Sequence, residues 1–493
     1  MASGTVVSSS SVRLRGGDDG PPAGWRGVNW PRLLPWGLAA GFFVFYALFC
    51  LRRHGLLLTT GYDLGIFEQA VRGYAHVGMP VTPLKGDGFN LLGDHFSPIL
   101  LALVPFYLVW PAAETLLLAQ AALLALAVVP ISRWAQRELG PAAAVAVAVG
   151  YGFSWGVGST IGFDFHEVAF AAPLLSFSVV ALAERRWVAA AAWAAPLCLV
   201  KEDLGITVAV IGGCIAWRGA RRIGAATALF GLLATALELL VLLPAMSPSH
   251  AYNYWDNMES APGAQPGLLE RLLSVPGHLL TATVEGRLLF FLLVPTLLLA
   301  VRSPLLLVAV PTLAWRLLSK NPAYWGTNYH YSVVLMPIVF AAFVDVLIRL
   351  RAAKPHWGRW ATAPFLCGSV AVTAVLFPLF PMASATDAGF WRSSAHVRTV
   401  QSVLADIPSG ARVAAGNRLV PQLTGRCTVF EFGWPNDWRT AEWVVVDTRN
   451  PMGWPLNGAQ ETTEIARLRA DGFRTVREDE GVLLLRAPSP DRP

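Results

Sequence analysis

The sequence predicts an all-α polytopic membrane bundle of about eleven transmembrane helices, with a small C-terminal extracytoplasmic α/β domain. Three observations predict it. Of the 493 residues, 54% are hydrophobic and only 14% are charged, whereas a water-solvated globular protein carries about a quarter of its residues as charge. Apolar runs recur from residue 33 to residue 380, each near the ~20 residues that cross a ~30 Å hydrocarbon core. A polar stretch of about 110 residues follows, long enough for one small domain.

Taken in order, residues 1–32 are rich in Ser, Gly, Pro and Arg and read as a disordered cytoplasmic tail. The run Leu33 to Leu51 exceeds a signal-peptide core and lacks a small-residue cleavage site, so it is expected to stay as an anchor. Further spans are expected at 114–132, 141–158, 167–183, 187–200, 204–217, 224–245, 287–301, 303–319, 332–348 and 359–380, completing a multi-span domain over 33–380. A large outer loop, 52–113, separates the first two spans. Within it Ser97–Trp110 is short and contains Pro98 and Pro105, which fits an interfacial or re-entrant helix.

The net charge of +6 is almost entirely arginine, since Lys85, Lys201, Lys320 and Lys354 are the only lysines. The arginines cluster between apolar runs, so topology accounts for them and no nucleic-acid partner is expected. With eleven spans, Arg26 and Arg32, Arg133 and Arg137, Arg185 and Arg186, Arg218 to Arg222, Arg302, and Arg349 to Arg359 all fall on one side. The positive-inside rule makes that side cytoplasmic. The opposite, outer side then receives nearly every polar group suited to chemistry. The five cysteines suggest no disulfide framework. There is no phosphate-loop, HExxH, CxxC or GxSxG motif.

Asp63 follows the first span, in Gly61-Tyr62-Asp63-Leu64-Gly65-Ile66-Phe67-Glu68. It fits a carboxylate favouring a helix dipole and a catalytic acid or base equally well. Asp94-His95 is either a helix cap or an acid/base or ligand pair, because His titrates near neutrality. Asp164, His166 and Glu167 interleave with Phe163 and Phe165 between two spans. Charges at such depth usually face a cavity or a partner, and a functional reading is favoured there. Lys201, Glu202 and Asp203 form either an ordinary external turn or the wall of an aqueous cavity. His330, within Asn328-Tyr329-His330-Tyr331, is open to an interfacial aromatic reading. Arg287, Arg316 and Lys320 lie near outer span ends, where a cation either snorkels or binds a phosphate or lipid head group. Convergence of Asp94, His95, Asp164 and His166 on a divalent metal is left open.

Residues 384–493 show soluble periodicities: a helix at Ala395–Ile407, strands at Arg412–Ala415, Thr428–Phe432 and Trp443–Asp447, a helix at Glu461–Ala470, and strands at Phe473–Arg477 and Val482–Arg486. That alternation predicts a small α/β layer. Without a glycine fingerprint for a dinucleotide it is assigned no cofactor, and acceptor recognition or a lid is its expected role.

The stretch Tyr62 to Gln69, with Asp94-His95-Phe96-Ser97-Pro98, Phe163 to Glu167 and Lys201-Glu202-Asp203, resembles a bacterial family of predicted membrane proteins catalogued as domain of unknown function 2079. The resemblance covers roughly residues 55–380. The layout is also similar to the GT-C class of polyprenyl-phosphate-sugar-dependent glycosyltransferases, such as the aminoarabinose transferase of lipid A. In that class an acidic residue early in the first outer loop acts on the acceptor, and interfacial helices follow. Asp63 matches the acidic position and Ser97–Trp110 the interfacial helix, while Tyr62 and Leu64 stand where a second acidic residue is often found. The resemblance implies a plasma-membrane enzyme that moves a sugar from a polyprenyl-phosphate lipid to an envelope acceptor. The alternatives are a transporter or lipid flippase and a non-catalytic envelope scaffold. A transporter favours midplane polar residues and repeated halves, and neither is evident.

Overall fold

The computed structural model describes residues 30–252, 254, 284–319, 321–434 and 437–488. The expected tail lies outside the described residues as far as position 29. Three apolar helices are long enough to cross a membrane unbroken: Leu33–Gly55, Ala113–Leu139 and Arg221–Met246. A fourth candidate, Pro141–Gly152 with Trp155–Ile161, is bent by 50°. The other apolar helical stretches, among them Glu167–Ala183, Trp187–Leu199, Leu204–Trp217 and Ala363–Leu379, are only 10–17 residues long. Eleven unbroken spans are therefore not what the described residues show.

Proline and local backbone geometry explain the difference. The expected span 287–301 breaks at Leu297 and Leu298, both left-handed with φ of 53° and 60°. The expected span 303–319 opens as a 3₁₀ segment, Pro304–Ala309, before the α-helix Val310–Leu318. Proline lacks the N–H that an α-helix interior requires, and 3₁₀ pieces are the common substitute at helix ends. An apolar run records composition but not such breaks.

The basic connections meet one another. Arg137 pairs with Glu184, and Arg351 donates to the Glu138 carbonyl at 3.1 Å. Arg349 pairs with Asp345 at 2.8 Å and reaches the Arg302 carbonyl at 2.9 Å.

The C-terminal sheet has five strands: β1 (Arg412–Ala415), β2 (Thr428–Glu431), β3 (Trp443–Asp447), β4 (Arg474–Asp479) and β5 (Val482–Arg486). Their order is β2-β1-β3-β5-β4, with β1 parallel to β2 and β3, and β5 antiparallel to β3 and β4. Strand alternation sends Val413, Ala415, Val429, Val445 and Leu484 to one face, against Val400, Val403 and Leu404 of helix Ala395–Ala405. Ala414, Phe430, Val444, Leu483 and Leu485 face Ile465 and Leu468 of helix Gly458–Ala470. Ser394 caps the first helix by accepting from Val397 N, and Asn457 with Gln460 forms a capping box on the second. The first face belongs to the same apolar cluster as Leu64, Phe67 and Leu116 of the bundle. Sheet and bundle are thus welded by one core, which fixes the short turn between them.

Candidate functional site

That turn, Gly61–Gly65, carries Asp63. Gly61 N donates to the Asn417 carbonyl at 2.9 Å and to its side-chain oxygen at 2.6 Å, just past β1. A Cβ on Gly61 or Gly65 would lie 2.9 or 2.8 Å from the Val420 side chain, so glycine is what permits the approach. From beneath, the Asp164 carboxylate accepts from Thr60 N at 2.8 Å and Thr60 Oγ1 at 2.5 Å. Held from both sides, the turn presents Asp63 to a cavity of about 260 Å³.

Asp94, His95, His166, Lys201 and His330 line this cavity with Asp63. Five separate chain segments meet there. Asp164 does not line it; buried beneath the Asp63 turn, it acts as an anchor, a correction to its expected place in the cluster. Asp63 keeps 26% side-chain exposure because it opens into the space. Burial and the nearby Asp164 and Glu167 carboxylates push its pKa up to about 7, against the opposing pull of Lys85 and Lys201.

The His166 and His330 rings stack at 3.4 Å between centroids. Burial, with Lys201 and His95 near the first and His166 and Lys201 near the second, holds both imidazoles well below the usual histidine range, so both are neutral. Ligand atoms of Asp63, His166 and His330 lie within 4.8 Å of one another. Both His330 ring nitrogens lack a hydrogen-bond partner among the described residues. Two neutral imidazoles and a carboxylate form a donor set suited to a divalent transition ion such as Zn²⁺. His166 Nδ1 lies 2.6 Å from Glu167 Oε2, an approach whose alignment is not that of a hydrogen bond.

The opposite wall is closed. Lys85 pairs with Asp94, which also accepts from the Tyr254 hydroxyl at 3.2 Å. His95 Nδ1 donates to Glu202 at 2.7 Å, and Glu202 further accepts from Phe96 N and the Tyr252 hydroxyl. Burial and Lys201 lower the His95 pKa, yet Glu202 and Asp94 outweigh them and raise it. Burial alone would raise Glu202; His95, together with Lys201, more than reverses that. The pair is therefore ionic.

Other expected site residues lie elsewhere. Glu68 is fully buried against Tyr107 and Thr424, facing the C-terminal unit and not the cavity. Burial raises its pKa to about 7. Glu167 sits behind the wall, 3.8 Å from Lys201 Nζ. Glu202 and Asp203 line a neighbouring cavity, and burial raises Asp203 to about 6. Arg287 is exposed and does not line the site. Arg316 is fully buried and donates to the carbonyls of Tyr324, Gly326 and Tyr331 and to Ser332 Oγ. It moulds the segment that delivers His330, so a phosphate-binding role is not carried forward. Lys320 lies outside the described residues. Sequence reasoning missed Lys85 and the tyrosines Tyr254, Tyr324 and Tyr331 in the cavity wall. Lys85 had a signal: three of the four lysines in this arginine-rich chain fall in connections expected on the outer side.

Fold and site define a mostly helical membrane protein with a small C-terminal α/β unit. The crystal structure of ArnT from Cupriavidus metallidurans bound to undecaprenyl phosphate matches at a TM-score of 0.54 and 13% identity, over 91% of this chain and 97% of that one. The same protein in its apo state matches at 0.49 and 13% identity, over 91% and 98%. The chain belongs to the predicted membrane protein family DUF2079, whose family model matches residues 53–484. No curated protein matches the sequence.

Proposed function

We propose that the protein is a membrane glycosyltransferase that moves a sugar from a polyprenyl-phosphate donor to an envelope acceptor on the outer face of the bacterial plasma membrane. One observation carries this reading. The polar cavity holding Asp63 adjoins a second cavity of about 340 Å³, and the two share His95, Lys201, Tyr254 and Tyr324. Ile206, Leu239, Pro311, Ala314 and Leu318 give the second cavity an apolar wall. An amphiphile fits this pair: isoprenoid chain in the apolar cavity, phosphate at the Lys201 junction, sugar beside Asp63. The fold shared with a protein crystallised with undecaprenyl phosphate supports the same donor class.

On this reading residues 33–380 form the membrane domain and 384–493 an outer domain, with the N-terminus cytoplasmic. The meeting of Arg137, Glu184, Asp345 and Arg349 at a place distinct from the Asp63 cavity supports that orientation. The acceptor hydroxyl attacks the anomeric carbon, the anomeric C–O bond to phosphate breaks, and the polyprenyl phosphate departs. Asp63 takes the hydroxyl proton; a carboxyl poised near 7 suits that task at neutral pH. Lys201 stabilises negative charge on the leaving phosphate. Asp63, His166 and His330 would hold a divalent cation, which when bound would supply further positive charge to the site and keep the Asp63 carboxylate ionised as the proton acceptor.

The test is transfer by purified protein from a panel of polyprenyl-phosphate sugars, wild type against Asp63→Asn. Wild-type transfer that the substitution abolishes supports the reading. Lipid movement without turnover of any donor would replace the transferase with a flippase.

A further inference from the structure

A further cavity plays no part in the chemistry above. It measures about 400 Å³ and sits at the carboxyl ends of the parallel strands. Gly416 and Asn417 follow β1, Glu431 ends β2 and Asp447 ends β3, and all four line it. The chain leaves β1 towards β2 on one side, while β3 flanks β1 on the other. A crevice outside the carboxyl ends of strands, at such a switch point, is where open α/β sheets bind ligands.

The chemistry of the wall narrows the ligand. One side is apolar, with Phe432, Trp454 and Leu456. The other offers oxygens from Asp447, Glu461 and Asn450. Of its three cationic side chains two are engaged, His396 with Asp447 at 2.8 Å and Arg449 with Glu480 at 3.4 Å, while Arg418 is exposed to solvent. Glu431 is fully buried, and neither of its carboxyl oxygens has a hydrogen-bond partner among the described residues. Glu461 Oε1 likewise lacks one. Acceptor oxygens facing an aromatic wall suit a neutral polyhydroxylated ring, whose hydroxyls donate while its C–H face lies on an indole. A phosphate would meet carboxylates instead.

We propose that this cavity is a saccharide-binding site that holds the sugar part of the acceptor. Its position fits that role. Trp454 lies edge-on to Tyr62 at 4.9 Å between ring centroids, and Asn417 holds the backbone of the turn bearing Asp63. Tyr62 lines the Asp63 cavity and Trp454 lines this one, so a contacting pair of aromatic rings links the two linings. The acceptor role rests on the transferase reading; saccharide binding does not.

The experiment is ligand-observed NMR on the full-length protein in nanodiscs. The probes are mannobiose, galactobiose and arabinobiose, with ADP and inorganic phosphate as anionic comparisons. At least one disaccharide binds the wild type, and Trp454→Ala and Glu461→Gln each weaken it tenfold or more. Both residues are partly exposed, so neither change threatens the fold. No bound disaccharide, preference for ADP or phosphate, or binding indifferent to both substitutions overturns the site. Disaccharide binding by a protein that turns over no donor removes the acceptor role and leaves the site. Full transfer by both variants overturns the acceptor role and leaves the transferase.

Discussion

Two walls of one cavity are built from the same residue types and have opposite characters. On one side Lys85 with Asp94 and His95 with Glu202 close into ion pairs, backed by tyrosine hydroxyls and a backbone N–H. On the other, Asp63, His166 and His330 converge without closing, and both His330 nitrogens lack partners among the described residues. Buried polar groups are nearly always satisfied. A wall left open beside a wall so thoroughly closed is therefore the wall that awaits a ligand. Burial and charge do not separate function from structure here; unfilled hydrogen-bonding capacity does.

The largest expected effect tests the open wall. Asp63→Asn should lower transfer about 10²–10⁴-fold, roughly 3–5 kcal/mol at about 1.4 kcal/mol per decade. It should leave unfolding stability within about ±0.5 kcal/mol, because the His330 imidazole that Asp63 approaches, at 4.0 Å, is neutral and makes no ion pair with it. Transfer assays and denaturant unfolding of the same preparations check both halves. Lost stability with normal transfer would make Asp63 a structural residue like those opposite, and the contrast would collapse.

The closed wall should show the reverse. Glu202→Gln breaks the buried pair: His95 then either gives up its proton or stays a buried cation with only Asp94 to offset burial and Lys201. Breaking such a pair typically costs about 3 kcal/mol or more. The measurement is the denaturant midpoint at constant slope, and an unchanged midpoint would mean that the pair contributes nothing to the fold.

Much of this contrast was legible in the sequence, but only to a point. Arginine phase put Asp63, Asp94-His95, Asp164-Phe165-His166-Glu167 and Lys201-Glu202-Asp203 in the outer connections, and four of those segments meet at the cavity. The strands of the C-terminal sheet were legible because alternation is local. The partners were not, because they depend on contacts across the chain: His95 finds Glu202 over 107 positions, and Gly61 finds Asn417 over 356. Glu68 and Asp164 look like their neighbours in sequence, and only the fold turns them towards Thr424 and Thr60. Helix continuity was not legible where proline and left-handed leucines break an apolar run.

A smaller effect sharpens the open wall from within. Chelator-stripped protein should bind Zn²⁺, and His330→Ala should weaken it at least tenfold, about 1.4 kcal/mol. Among the described residues neither His330 nitrogen has a hydrogen-bond partner, whereas the His95 Nδ1 is committed to Glu202. Calorimetric titration of both proteins reads the difference. Equal affinity would show that the open wall waits for something other than a metal.

The smallest effect concerns two arginines that the sequence placed in one role. Arg287 and Arg316 were both expected near outer span ends, each free to hold a phosphate or to snorkel. Arg316 is fully enclosed, with its guanidinium donating to three carbonyls and a hydroxyl of the segment that carries His330. Arg287 is exposed on Val284–Leu293 and lines neither the polar cavity nor its apolar neighbour. Arg287→Gln should therefore change stability by no more than about 0.5 kcal/mol and leave the rate of sugar transfer unaltered. Transfer rates measured across a range of donor concentrations separate the two readings of this residue. A raised half-saturating donor concentration with an unchanged maximal rate would show Arg287 binding the donor phosphate in both ground and transition states. It would move the phosphate away from Lys201 and break the assignment of the two adjoining cavities to head and tail.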